Sequence, residues 1–176
     1  MNNESLFLNV VKTIFALVLL YVGYLTATGA EPYYLYNADL AFHEGGHTIF
    51  FFFGEFIQFL GGTLMQILLP LFFAVYFFFN RAEYSASVSS WWLGVNLYEI
   101  GTYAADAEAQ ALPLLSGEHD WAYILGKLGL VSQCGIIGGV FHILGISIIF
   151  ISALFALASI SNISEILKRI ANSKKN

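Results

Sequence analysis

The sequence predicts an all-α membrane protein, a bundle of four to six transmembrane helices with an interfacial amphipathic helix at the C-terminus. Of the 176 residues, 58% are hydrophobic and only 11% are charged, whereas soluble domains average about a quarter charged residues. The apolar residues come in long blocks rather than in alternation, which is typical of helices that face lipid. The net charge of -5 argues against nucleic-acid binding, which depends on Lys and Arg facing phosphates.

Five hydrophobic stretches are long enough to be predicted as spans, because about 20 apolar residues cross roughly 30 Å of hydrocarbon. Residues 1–176 then form a single transmembrane domain with spans at about 6–28, 39–60, 62–79, 89–112 and 135–158. Gly61 and Gly62 separate the second and third spans and suit a tight antiparallel reversal, although one long helix bent there fits the same residues. Pro113 ends the fourth span, since proline removes a helical hydrogen bond. The last span carries glycines that permit close helix contact, namely Gly135, Gly138, Gly139 and Gly145.

Two further segments are predicted to lie at the membrane interface. Residues 121–133 form a short amphipathic piece before the last span, and residues 161–176 form a basic amphipathic helix. A helix of that kind favours an anionic cytoplasmic leaflet. With five spans, the positive-inside rule places Arg81 and the C-terminus in the cytoplasm and the N-terminus outside.

The motif that carries chemistry lies inside the second predicted span, where His43-Glu44-Gly45-Gly46-His47 reads HExxH. Residues four apart on a helix lie one above the other, so both imidazoles face one point, as in zinc sites where the glutamate acts on a water. Ionisable groups at bilayer depth are costly unless they are paired or coordinated. The alternative is a pair of hydrogen-bonded histidines without metal, which would leave Glu44 with nothing to offset its desolvation.

The fourth predicted span carries a polar stripe at intervals of three and four residues, formed by Trp92, Asn96, Glu99, Tyr103, Asp106 and Gln110. Lipid would solvate neither this stripe nor the HExxH side of the second span. The two helices are therefore predicted to pack with their polar sides together. An interhelical hydrogen-bond network without metal is the alternative interpretation.

A catalytic zinc site generally has three protein ligands and one open position, so a third ligand is needed. Asp106 is the first candidate, because it lies on the polar stripe near the end of its helix. His119 is the second, in a turn where Asp120 could instead cap the following helix. His142 is the third, although a lone histidine in an apolar span is more often hydrogen-bonded to a neighbouring helix. Supporting roles around the ligands or substrate suit four other polar residues, namely Gln66, Asn96, Glu99 and Tyr103.

These residues resemble the site-2 protease family of intramembrane zinc metalloproteases. The resemblance rests on HExxH in an early-to-middle span and on an aspartate, Asp106, in a later one. Family members carry their aspartate in a motif similar to Asn-x-x-Pro-x-x-x-Leu-Asp-Gly, whereas Asn96 precedes Asp106 here without the proline or the final glycine. The resemblance implies that His43 and His47 bind zinc and that Glu44 activates water to hydrolyse a membrane-bound peptide. Hydrolysis of a lipid amide or ester would need the same machinery.

Two other classes of function fit the same residues. A non-hydrolytic subunit could hold iron or haem with the histidines, although the di-iron bundles use two ExxH motifs and one is present here. An accessory subunit of a larger membrane complex, or a homo-oligomer, could use the 17 phenylalanines for packing. For all of these functions, the predicted partners are the lipid bilayer and a membrane protein or peptide. Nucleic acid is not a predicted partner.

Overall fold

The computed structural model describes residues 3–30, 33–114 and 118–160, and every regular element in those ranges is helical. The elements are α1 (Asn3–Ala27), α2 (Tyr33–Phe50), α3 (Glu55–Phe79), α4 (Glu83–Ala105), α5 (Asp120–Leu128) and α6 (Cys134–Ala158). Short 3-10 turns at Phe51–Phe53 and Val131–Gln133 precede α3 and α6. The predicted all-α class is confirmed. The interfacial helix predicted at residues 161–176 lies outside the described residues.

Three helical segments are long and apolar enough to cross a membrane: Glu4–Ala27, Glu55–Phe79 and Val131–Ala158. They support the prediction of an integral membrane protein with several spans. The number is lower than the predicted four to six, because α2 and α4 do not meet the same criterion of length and hydropathy over the part of the chain that is described. These two helices carry the polar residues of the HExxH motif and of the stripe, which lower their hydropathy.

The chain reverses after α2 earlier than predicted. The turn is made by Phe51–Phe53 and by Gly54, whose φ of +92° is a conformation that glycine adopts without steric cost. Gly61 and Gly62 instead lie buried inside α3. The predicted hairpin at Gly61-Gly62 is therefore wrong. The actual reversal lies within an uninterrupted run of apolar phenylalanines, where hydropathy gives no sign of a turn.

The antiparallel helices α2 and α3 approach each other closely at glycines. A Cβ atom on Gly46 would clash with the carbonyl oxygen of Gly61, and one on Gly62 would clash with the imidazole of His43. A Cβ on the neighbouring Gly45 would meet nothing within 4 Å. The two glycines of the HExxH motif therefore have different roles, and only Gly46 is needed for the helix contact.

The central helix is α4, which packs against α1, α3, α5 and α6. A Cβ on Gly94 would lie 2.9 Å from the carbonyl oxygen of Gly145, and one on Gly101 would lie 2.8 Å from that of Gly138. The predicted close packing is thus confirmed at Gly138 and Gly145. The other two glycines of the predicted set face open space, namely Gly135 and Gly139.

The helix directions differ from those of five alternating spans. The Tyr84 hydroxyl donates to the carbonyl of Lys12, and the Trp91 indole donates to that of Leu19, so α1 runs parallel to α4. The glycine contacts show that α6 is antiparallel to α4, and α3 joins α4 through a tight turn at Arg81. The start of α1, the Arg81 turn and the end of α6 therefore lie at one end of the bundle. The prediction that the N-terminus lies opposite the Arg81 turn is wrong, because α1 and α2 run in the same direction and do not alternate.

Replacement of Gly46 by alanine should destabilise the fold, whereas replacement of Gly45 should not. Forcing a methyl group against a neighbouring backbone costs about 1–3 kcal/mol, while alanine at an open helical position gains up to about 1 kcal/mol over glycine. Thermal unfolding in detergent micelles, followed by circular dichroism, should give a lower midpoint for Gly46→Ala and an equal or higher one for Gly45→Ala. Equal losses in both variants would show that α2 and α3 do not meet at Gly46.

Candidate metal centre

Side chains from α2 and from the first residue of α5 converge on one point. The Oδ2 atom of Asp120 lies 2.9 Å from His43 Nε2 and 3.3 Å from His47 Nε2. The Glu44 carboxylate is close by, since one candidate ligand atom from each of His43, Glu44 and His47 lies within 4.8 Å of the other two. His43 and Asp120 are buried and His47 is half-buried. Four ionisable groups thus form one compact cluster, which we call the centre.

The two imidazoles reach the centre because they are one helical turn apart on α2. Their ring centroids lie 4.8 Å apart, as the i and i+4 spacing predicts. The predicted convergence of His43 and His47 is therefore confirmed. The sequence suggests at most a helix-capping role for Asp120, whereas the structure places its carboxylate within 3.3 Å of both imidazoles.

Hydrogen bonds fix which nitrogen of each imidazole faces the centre. His47 Nδ1 lies 2.8 Å from the carbonyl oxygen of Gln58, and a carbonyl can only accept, so Nδ1 carries the hydrogen. His43 Nδ1 lies 2.9 Å from Gln66 Oε1, and the Gln66 amide donates to Glu99 Oε2 at 3.2 Å. Both histidines therefore donate from Nδ1 away from the centre, and their Nε2 atoms face it and present lone pairs to it when the imidazoles are neutral.

With neutral imidazoles, three hydrogen-bond acceptors face one another at the centre: the two Nε2 atoms and the Asp120 carboxylate. Burial raises the pKa of the Asp120 carboxyl, but its contacts with His43 and His47 outweigh burial and hold the pKa below its usual value. Asp120 is therefore a carboxylate that faces the Nε2 atoms of both imidazoles. Three acceptors at these distances repel one another unless a positive charge lies among them. That charge can be an additional proton on an imidazole or a metal ion.

Asp106 and His119, the first two candidates for a third ligand, meet each other beside the centre. The Asp106 carboxylate accepts from the backbone amides of Ala111 and Leu112, both at 3.0 Å, and its Oδ2 lies 3.3 Å from His119 Nε2. His119 Nδ1 accepts from the amide of Ala122 at 3.2 Å and caps α5. The pair thus ties the end of α4 to the start of α5, and α5 begins with the aspartate of the centre.

Tyr103 connects this pair to the centre. Its ring stacks on His119, with centroids 4.2 Å apart, and its hydroxyl accepts from the backbone amide of Asp120 at 3.1 Å. The ring edge also lies against His43, with centroids 5.9 Å apart. Tyr103 therefore holds the backbone of Asp120 in place, and the supporting role predicted for it stays a prediction.

His142, the third candidate ligand, lies between α4 and α6 and away from the centre. Its Nε2 is 3.0 Å from the Thr102 hydroxyl, and its ring stacks on Tyr98 with centroids 4.4 Å apart. This is the alternative foreseen for a lone histidine in an apolar span, a hydrogen bond to a neighbouring helix.

A cavity of about 490 Å³ opens onto the centre, a size typical of pockets for small molecules. It is lined by the centre and its neighbours: His43, Glu44, Gln66, Glu99, Tyr103 and Asp120. Apolar residues from α2 and from the segment after α4 also line it, including Leu40, Leu112 and Pro113. The predicted meeting of the two polar stripes is thus confirmed for Glu99 and Tyr103, whereas Asn96 and Asp106 do not line the cavity.

Comparison of the chain with protein-family models, curated protein sequences and solved structures finds no match. The resemblance to site-2 proteases therefore stays a prediction that depends on the HExxH motif. Any functional conclusion has to come from the geometry of the centre.

Proposed function

We propose that the chain is a membrane-embedded, zinc-dependent hydrolase of the metalloprotease type, with His43, His47 and Asp120 as ligands and Glu44 as general base. The observation that carries the proposal is the convergence of two imidazole Nε2 atoms and the Asp120 carboxylate within one helical bundle. Two histidines and one carboxylate form a known ligand set of catalytic zinc.

The two distances from Asp120 to the imidazoles are compatible with a tetrahedral zinc ion. Zinc bonds of about 2.0–2.1 Å to nitrogen and oxygen place neighbouring ligand atoms roughly 3.3 Å apart. The observed distances from Asp120 Oδ2 to the two Nε2 atoms are 2.9 Å and 3.3 Å. A shift of a few tenths of an ångström at His43 would therefore accommodate the metal.

The same geometry favours Asp120 over Asp106 as the third ligand. The carboxylate of Asp106 is already engaged by the amides of Ala111 and Leu112 and by His119. Asp106 and His119 thus act as positioning residues, because they anchor the loop that ends at Asp120. Gln66 and the carbonyl of Gln58 have the corresponding role for the imidazoles, since they hold each Nδ1 hydrogen and orient each ring.

The proposed chemistry divides between the metal and Glu44. Zinc in such a site supplies Lewis acidity, which makes water more acidic and a carbonyl carbon more electrophilic. Glu44 takes a proton from the water whose oxygen attacks the scissile carbonyl carbon. It then passes that proton to the leaving nitrogen as the carbon–nitrogen bond breaks.

A membrane-bound peptide is the substrate class that the position of the centre supports. His43 contacts Gln66, which lies near the middle of the apolar helix Glu55–Phe79. The cavity beside it has apolar walls at Leu40, Leu112 and Pro113. A peptide segment that is itself apolar could therefore occupy the cavity and present its backbone to Glu44.

The helix directions support a fourth membrane crossing by α4. The long apolar helices α3 and α6 both run antiparallel to α4, so the chain has to return between them. With 23 residues, α4 is about 35 Å long at 1.5 Å per residue, enough to cross the hydrocarbon. Its polar side chains Asn96 and Glu99 are buried against protein, so lipid does not have to solvate them. By the positive-inside rule, Arg81 then places its end of the bundle, with the end of α6, in the cytoplasm.

A mononuclear iron centre is the second candidate. Two histidines and one carboxylate with open positions also form the facial triad of non-haem iron oxygenases. Elemental analysis distinguishes iron from zinc. An absorption spectrum gives a second test, since the zinc protein is colourless. A haem is disfavoured because His43 and His47 face one point from the same side of α2.

Replacement of Asp120 by asparagine should weaken metal binding more than the same change at Asp106, because Asp106 positions the loop and is not a ligand. Protein prepared without chelators should contain one zinc per chain, measured by mass spectrometry of the element. Loss of a supporting residue such as Asp106 costs about 10–100-fold in metal affinity, so loss of the Asp120 ligand should cost more than that in a chelator competition. Metal retained in Asp120→Asn but lost from Asp106→Asn would return the third ligand to Asp106.

Replacement of Glu44 by glutamine should keep the metal and abolish turnover. The amide is nearly isosteric but cannot accept the proton, and general-base catalysis contributes about 10²–10⁴-fold. Cleavage of quenched-fluorescent transmembrane peptides, reconstituted with wild type, Glu44→Gln and His47→Ala, measures the effect. His47→Ala should lose both metal and turnover. Full turnover by Glu44→Gln would exclude the hydrolytic mechanism, and loss of its metal would make Glu44 a ligand.

A further inference from the structure

A second buried polar cluster lies between α2 and α4, next to the centre. Asp39 has no exposed surface, and its Oδ1 accepts from the Trp92 indole at 2.6 Å. The Asp39 side chain also contacts those of Asn96 and Glu99. Its Oδ2 atom is buried and has no hydrogen-bond donor among residues 3–30, 33–114 and 118–160.

This cluster contains too few hydrogens for its acceptors. Asn96 is 1% exposed, and its amide nitrogen donates to the carbonyl of Trp92. Its Oδ1 is a second buried acceptor for which no donor is found in the described part of the chain. Buried acceptors in native proteins nearly always have a donor, and two adjacent carboxylates cannot both ionise. One additional proton at the acid pair would neutralise one of the two carboxylates and would supply a donor to one of the buried acceptors.

We propose that Asp39 and Glu99 form a proton-holding site, with a single resident proton on Asp39 and the negative charge on Glu99. The charge belongs on Glu99 because its Oε2 accepts from the Gln66 amide and because it lines the cavity. Asp39 is fully enclosed and, unlike Glu99, does not line the cavity, so the neutral form belongs on Asp39. When Asp39 is a carboxylic acid, its Oδ2 carries a hydrogen and can donate it to the Glu99 carboxylate or to the Asn96 side-chain oxygen.

The proton also determines the orientation of the Gln66 side-chain amide relative to His43. An ionised Glu99 can only accept, so it keeps the NH₂ group of Gln66 on its own side. The Gln66 oxygen then faces the Nδ1 hydrogen of His43, 2.9 Å away, and the Nε2 lone pair of His43 faces the centre. This consequence for His43 rests on the proposed function, whereas the proton on Asp39 does not.

A proton fits the cluster better than a metal cation. A hard cation requires several oxygen ligands and often retains waters, whereas Asp39 Oδ1 is already engaged by Trp92. A proton requires neither additional ligands nor additional room. A second bound cation is therefore an outcome that the experiment has to distinguish.

Infrared spectroscopy of the whole protein in micelles at neutral pH tests the proposal directly. A carboxylic acid has a C=O stretching band at higher frequency than a carboxylate, and this band shifts downward in D₂O. Wild type should show one such band, and labelling aspartate with ¹³C at the carboxyl should shift it further. The band should be absent from Asp39→Asn and present in the matched control Asp106→Asn. The absence of an acid band in wild type, or a band insensitive to aspartate labelling, would overturn the proposal without any variant.

Metal titrations of two variants test the link to the centre. Asparagine at position 39 resembles the protonated acid, so Asp39→Asn should retain zinc affinity within about twofold. Glutamine at position 99 can donate to Gln66 and let its amide turn, so Glu99→Gln should bind zinc about 10–100-fold more weakly. The reverse order, or a second equivalent of metal bound by wild type and lost from Asp39→Asn, would overturn the proposal. A wild type with the acid band but no metal would contradict the proposed function alone.

Discussion

Ionisable side chains inside an apolar helical bundle need partners, and the interior of this protein is arranged around that need. The two imidazoles of HExxH each place one nitrogen on a neutral acceptor and the other on a carboxylate. The acceptors are in turn tied to α3, α4 and α5. A small number of hydrogen bonds thus connects four helices through His43 and Asp120. Breaking one contact would leave a buried charge unpaired, which costs more than the contact itself contributes.

The close helix packing serves the same purpose. His43 can lie across α3 only because Gly62 has no side chain, and Gly46 lets α2 approach the backbone of Gly61. The contacts of Gly94 and Gly101 on α4 with α6 have the corresponding effect on the other side of the bundle. Small residues thus bring together helices whose polar side chains then satisfy one another, as packing in membranes generally requires.

Periodicity and spacing in the sequence were sufficient for much of the centre. The i and i+4 rule placed His43 and His47 on one point, and the stripe on the fourth helix placed Glu99 and Tyr103 at the same cavity. The third carboxylate was not predictable in this way, because Asp120 starts a short helix after a loop and no helical phase relates it to the HExxH motif. A signal was nevertheless present in the run Glu118-His119-Asp120, where several ligand types precede an amphipathic segment.

The fold was predicted in class but not in its turns and directions. Hydropathy cannot locate a reversal within a run of phenylalanines, and only the positive φ of Gly54 marks it. Hydropathy also assumes that each apolar block reverses direction, whereas α1 and α2 both run parallel to α4. These features depend on contacts between helices distant in sequence, such as Trp91 with Leu19, and a single sequence does not record them.

The central claim is that two imidazoles and one carboxylate hold a metal at the centre. X-ray absorption at the zinc edge of the wild-type protein tests it most directly. The account predicts a first shell of nitrogen and oxygen only, at about 2.0–2.1 Å, with outer-shell scattering from two imidazoles. Protein prepared without chelators that contains no metal, or a zinc shell with sulfur or with a single imidazole, would contradict it.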